Sequence, residues 1–245
     1  MATAPVEDQR RLLEVQALDT RLQQLAHQRG NHPALATIAE LDGRMRDLHG
    51  SLVDSRTAVA DLEREVTKAE RDVEQVRTRA TRDQQKLDSG ALGAKDATAV
   101  MSELESLARR QNVLEEAELE LMERLEAHQE ALAKVEAAHG ELVAAQDKAI
   151  AERDAAFAEI DGTVAEVAAQ RAAAAEGLDA QLVTLYDRLR RQLGGSGAAA
   201  LNGNRCEGCR LELNPGDLAA AKNAPPEQVV RCEECGRILV RVPQA

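Results

Sequence analysis

Residues 88–95 read Asp88-Ser-Gly-Ala-Leu-Gly-Ala-Lys95 and separate two long runs of helical periodicity. On the N-terminal side, apolar residues fall at Ile38, Leu41, Met45, Leu48 and Leu52, then at Val59, Leu62, Val66, Val73, Val76 and Leu87. On the C-terminal side the steps of three and four restart at Val100, Leu104 and Leu107 and run through Leu114, Leu121, Leu125, Leu132, Val135 and Leu142 to Ala149, Ala156, Ile160 and Val167. Apolar residues at that period line one face of a helix, and that face needs a partner helix. Gly90 and Gly93 break the helix between the runs. Residues 8–87 and 97–176 make arms of about 80 positions each around a tip near 88–96. Equal arms around a glycine-containing tip favour an antiparallel coiled-coil hairpin within one chain. A parallel homodimer of continuous helices is the alternative.

Outward from the tip, the first arm carries an earlier seam at Val15, Leu18, Leu22 and Leu25. Its register slips by two residues at Gly30-Asn-His-Pro33, which predicts a kink near 30–33. Gly43 and Gly50 project to solvent. On the return arm Gln111, Glu118, His128, His139, Gln146 and Arg153 project to the seam, as register markers or as polar side chains in a thin interface. Alanines crowd 165–175 and Gly177 predicts a break. Residues 178–193 then form an amphipathic helix with Leu178, Leu182, Leu185, Leu189 and Leu193 on one side and Arg188, Arg190 and Arg191 near its C-terminus. It is expected to dock on the hairpin base, with Gly194-Gly-Ser-Gly197 a flexible joint on which the rest swivels. The expected domains are 1–177 hairpin, 178–197 helix and glycine-rich joint, and 198–245 a small β-rich C-terminal zinc ribbon on a mainly α chain.

The ribbon rests on the chain's four cysteines, Cys206-Glu-Gly-Cys209 and Cys232-Glu-Glu-Cys235. Two Cys-x2-Cys turns converging on one ion give the four thiolates of a tetrahedral zinc site. Iron would also accept four thiolates, whereas a redox pair needs one such turn in a βαβ context. With every position filled by sulfur, one Zn²⁺ is structural and not catalytic. Gly208 and Gly236 are expected to supply positive backbone angles. Asn214 and Pro215 start a short helix between the alternating strand Arg210-Leu-Glu-Leu213 and apolar strands at 229–231 and 238–240. A segment without aromatics is expected to need zinc to fold, and to unfold when chelated.

Composition narrows the class. Aromatics make up 1% of the chain, only Phe157 and Tyr186, while 30% of residues are charged, so helix seams rather than a large globular core are expected. The net charge of −12 opposes nonspecific nucleic-acid binding. No membrane-length apolar run or signal-peptide core is present, and a cytoplasmic location, where thiols stay reduced, is expected. No nucleophile–base motif or phosphate loop is present, so neither an enzyme nor a small-molecule substrate is expected.

Glu103-Leu-Glu-Ser-Leu-Ala-Arg-Arg-Gln111, Leu114-Glu-Glu with Leu119-Glu-Leu-Met-Glu-Arg124, Leu185-Tyr-Asp-Arg188 and Cys232-Glu-Glu-Cys235-Gly-Arg-Ile-Leu239 carry a resemblance. Across about residues 97–240 the chain resembles a bacterial family of four-cysteine zinc-ribbon proteins with a coiled-coil hairpin, the FlgZ-like proteins. The resemblance implies a non-enzymatic role, either as an adaptor or chaperone for protein partners or in nucleic-acid binding. The first is the expected function, a protein-interaction scaffold that is a monomer or a coiled-coil-mediated dimer. The alternative is a regulator gripping RNA or DNA through the ribbon and the basic residues Arg188, Arg190, Arg191, Arg210, Lys222, Arg237 and Arg241. Residues 194–245 hold six basic and six acidic side chains and no aromatic to stack a base, which opposes the alternative.

Overall fold

Helix α1 spans Val6–Gly30, α2 Pro33–Asp88, α3 Ala94–Ala175 and α4 Ala180–Gln192, in a computed structural model that describes residues 2–242. Met1 and residues 243–245, the outer ends of the expected hairpin and ribbon, lie outside the described residues. The helix breaks have local causes. After Gly30, the Asn31 backbone and side-chain N–H groups both donate to the His27 carbonyl, at 3.0 and 2.9 Å. Pro33 then opens α2 where a missing N–H costs nothing. At the tip, Gly90 takes φ +66° and only residues 89–93 are non-helical. The break after α3 comes at Gly177, φ +75°, and the Asp179 carboxylate caps α4 by accepting from Gln181 and Leu182 N–H at 2.9 Å.

The chain divides into two compact units, residues 36–150 and residues 1–35 with 151–245. In the first, α2 and α3 run antiparallel. Asp42 accepts from Gln146, Arg56 pairs with Glu136 at 2.8 Å, Arg77 with Glu115 at 2.6 Å and Arg79 with Glu103 at 2.7 Å, the partner number falling as the first rises. These exposed pairs are worth at most about 1 kcal/mol each. The buried side chains Leu41, Leu52, Val59, Leu62, Val66 and Val73 of α2, with Leu107, Leu142 and Ala149 of α3, provide the cohesion. A two-helix interface covers only part of each side chain. Gln111, Glu118, His139 and Gln146 accordingly stay half-buried, and His128, projected to the seam, is exposed.

In the second unit the helical base and the ribbon share a core. Strands β1 (Ala198–Asn202), β2 (Arg205–Cys206), β3 (Val230–Arg231) and β4 (Ile238–Arg241) form a sheet of order β2-β1-β4-β3, and helix α5 (Pro215–Asn223) lies between β2 and β3 in sequence. β1 and β4 are parallel, with β2 and β3 antiparallel outside them. Side chains of a strand alternate between faces. Ala198, Ile238 and Val240 therefore join Leu12, Val15, Leu182, Tyr186 and Leu189 on one face, while Ala199, Leu201 and Leu239 join Cys206, Cys232, Leu213 and Ala221 on the other. The N-terminal segment adds to this unit, with Ala4 N–H donating to Glu227 O at 2.8 Å and Val229 N–H to Ala2 O at 3.0 Å.

The Gly194–Gly197 stretch is fastened, which corrects the expectation of a flexible joint. Buried Gln16 accepts from Gly197 N–H at 2.7 Å and Ala198 N–H at 3.2 Å, and Gln23 donates to Gly194 O at 3.1 Å. A β-carbon on Gly197 would sit 2.7 Å from the Tyr186 carbonyl oxygen. Glycine serves close packing there, not freedom.

Candidate metal centre and basic surface

Each Cys-x2-Cys turn is closed by the same backbone bonds. Arg210 N–H donates to Cys206 O at 2.7 Å and Gly236 N–H to Cys232 O at 2.8 Å. Cys206 N–H donates to Leu211 O at 3.0 Å and Cys232 N–H to Arg237 O at 2.9 Å. In both turns two backbone N–H groups face the first sulfur, those of Gly208 and Cys209 toward Cys206 and those of Glu234 and Cys235 toward Cys232. The residue after the second cysteine takes a positive φ, +72° at Gly236 and +62° at Arg210. Gly236 thus has its expected role. Gly208 does not: the positive angle falls on Arg210, and Gly208 is needed because a β-carbon would lie 2.7 Å from Arg237 Cδ and 2.9 Å from Ala199 Cβ.

The four sulfurs lie within 4.8 Å of one another, with Cys206 and Cys235 3.9 Å apart and Cys209 and Cys232 4.0 Å apart. Zinc–sulfur bonds of about 2.3 Å make a tetrahedron with edges of about 3.8 Å. A disulfide requires about 2.05 Å. The donor set fits one tetrahedral ion. Cys206 and Cys232 are buried and Cys209 and Cys235 half-buried, so the chain supplies both the ligands and most of the cover. Burial pushes the Cys232 thiol up to about 12 and raises Cys206. Burial also opposes ionisation of Cys235, but the Arg237 backbone N–H and guanidinium and the neighbouring thiols donate to it and bring it down to about 7. A bound Zn²⁺ stabilises thiolates and ties the two turns together.

The seven basic residues singled out from the sequence separate into two groups. Arg190 pairs with Asp19 at 2.6 Å, and Arg237 donates to Ser196 Oγ at 3.1 Å. Arg241 donates to the carbonyls of Ala221, Ala224, Pro225, Pro226 and Gln228, holding the loop after α5. Arg188, Arg191, Arg210 and Lys222 are exposed. Arg188 lines a shallow cleft with Asp217 and Glu233, while Lys222 lies on a different one with Arg10.

One buried network has no counterpart in the sequence reading. Asp19 is 2% exposed and accepts from Tyr186 OH at 2.7 Å and Arg171 Nε at 3.3 Å besides pairing with Arg190, joining α1, α3 and α4. The phenol is raised well above its ordinary range, first by burial and then by its bond to Asp19. The available signal was a second heptad stripe on α1, Gln9 with Gln16 and Leu12 with Asp19, showing that α1 buries two faces.

Comparison with known proteins matches this architecture. A family model described as a CT398-like coiled coil hairpin domain matches residues 15–194, and one described as a C4-type zinc ribbon domain matches residues 205–239. The uncharacterized protein Rv2229c of Mycobacterium tuberculosis is 39% identical over 239 residues, 98% of this chain and 97% of that protein. A solved structure from Mycobacterium smegmatis superposes with a TM-score of 0.84 at 38% identity, covering 98% of this chain and 100% of the other. The structure of CT398 from Chlamydia trachomatis shares the fold, with a TM-score of 0.68 at 17% identity over 96% of this chain and 98% of that one.

Proposed function

The chain belongs to the CT398-like coiled-coil hairpin family and carries a C4-type zinc ribbon, and from that premise we propose that it is a non-enzymatic scaffold or adaptor that holds protein partners. The observation that carries this reading is how the cations are used. Arg190, Arg237 and Arg241 are engaged in internal bonds, leaving Arg188, Arg191, Arg210 and Lys222 spread over α4, the first cysteine turn and α5. A nucleic-acid surface needs clustered cations and stacking side chains. This chain has a net charge of −12 and, in the described part of the ribbon, no aromatic side chain. The zinc set is closed by four thiolates and acts by folding the ribbon. The four exposed cations are partner contacts in this reading.

The test is a gel-shift series of the zinc-loaded chain with RNA and DNA, beginning at about 50 mM salt. Scaffold function predicts no shift. Binding that weakens steeply as salt rises supports the nucleic-acid alternative instead. Among the described residues no helix is long and apolar enough to cross a membrane.

A further inference from the structure

On α3, large apolar side chains stand in water at Met101, 57% exposed, Leu119, 60%, and Met122, 46%. At about 3.6 residues per turn these three fall on one flank of the helix, beside the seam residues Leu107, Leu114 and Leu121. Leu119 and Met122, three apart, are surface neighbours. Isolated exposed apolar residues are ordinary, so the surroundings decide. Residues 111–133 contain seven glutamates and one arginine. The cross-arm pairs Arg77–Glu115 and Arg56–Glu136 bracket this stretch. Between them Glu116, Glu123 and Glu126 flank the apolar residues, and among the described residues none has a cation at ion-pair distance.

We propose that this flank of α3, centred on Leu119 and Met122, docks a basic amphipathic helix of a partner protein. The proposal rests on the scaffold reading and adds to it a docking surface on α3, separate from the four exposed cations. Three possible occupants are separated by charge. A second copy would set glutamate against glutamate across a self-complementary contact, which like-charge repulsion opposes. Nucleic acid carries the wrong sign. A helix with Leu or Met at i, i+3, i+4 and Lys or Arg beside them covers the apolar side chains and neutralises the glutamates together. The furrow beside a two-helix seam suits a third helix.

The full zinc-loaded chain is titrated into a fluorescein-labelled synthetic peptide of about 20 residues with Leu and Lys in that pattern, and into a scrambled peptide of the same composition. Fluorescence anisotropy is expected to show the patterned peptide bound at least tenfold more tightly than the scrambled one. The double variant Leu119→Ser/Met122→Ser should lose at least tenfold while keeping the parent's circular dichroism and melting temperature. Equal binding of both peptides, or unchanged binding by the double variant, overturns the proposal. So does self-association of the parent in sedimentation that disappears in the variant, because the occupant is then a second copy. A photocrosslinking residue in place of Leu119 carries the test to native partners, where the expected adduct is a basic amphipathic segment and an acidic segment or nucleic acid overturns the proposal. If protein capture by the double variant equals that by the parent, this site fails while the scaffold reading stands; failure of that reading shows in the gel shift.

Discussion

Replacing Asp19 by Asn removes the charge that joins three helices while keeping the side chain's volume. In the native protein this 2%-exposed carboxylate meets Arg190 at 2.6 Å, Arg171 at 3.3 Å and the Tyr186 hydroxyl at 2.7 Å. Breaking a buried ion pair by removing one partner costs about 3–5 kcal/mol. Two features lower that figure here. The Arg171 and Arg190 side chains are 23% and 34% exposed, so water reaches them, and Arg171 retains Asp187 at 3.1 Å. The expected loss is about 2–3 kcal/mol after that screening. The chain has one tyrosine and no tryptophan, so intrinsic fluorescence in a urea titration reports Tyr186, and hence this core, directly. The Asp19→Asn midpoint should fall with the slope unchanged. A cycle with Arg190→Gln should show coupling of about 1 kcal/mol or more between the two positions. A midpoint equal to the parent's, or additive single effects, would refute the view that this network holds the hairpin base to α4.

The glycine at 197 is needed for contact, so Gly197→Ala, which places a β-carbon 2.7 Å from the Tyr186 carbonyl, should destabilise the unit by about 1–3 kcal/mol in the same titration; a neutral effect would restore the flexible joint. Arg210→Gly relieves a left-handed residue and should stabilise the ribbon by about 1 kcal/mol, measured as resistance to chelator, whereas a loss would show that the arginine side chain outweighs the strain. Tyr186 has a folded-state pKa above its unfolded value of about 10, so its contribution is complete below that pH and is lost as pH rises toward the folded value. Its phenolate absorbance should therefore appear only with alkaline unfolding, and a simple native titration near pH 10 would contradict the burial and the bond to Asp19. Removing zinc should disorder the cysteine turns and the core around Leu201, Leu213 and Leu239, yet leave Tyr186 buried against Leu12 and Val15; exposure of Tyr186 on chelation would show that the two cores are one.

The hairpin and the zinc centre were legible because their signals are local. Heptads on both sides of Gly90 and Gly93 report one face of each arm, and Cys-x2-Cys spacing encodes its own turn. The union of the ribbon with the helical base was not legible. It depends on β1, whose Ala198-Ala-Ala carries little strand signal, pairing in parallel with β4 some forty residues later. It depends as well on Gln16 reaching Gly197, since a glycine run reads alike as a loose linker or a tight contact until its neighbour is known. The expected dependence of the whole module on zinc changes for the same reason, because Ile238 and Val240 are already buried against α1 and α4. Arg237 and Arg241 looked like surface cations, but nothing adjacent in sequence reveals that they face Ser196 and the carbonyls after α5.

The most direct test of the scaffold reading is affinity capture with the full zinc-loaded chain from cell extract, with and without nuclease, followed by both protein and nucleic-acid sequencing. The account predicts a defined set of proteins retained unchanged after nuclease treatment, with no enriched RNA or DNA. Enrichment of a nucleic acid, with the captured proteins lost when it is digested, would contradict it.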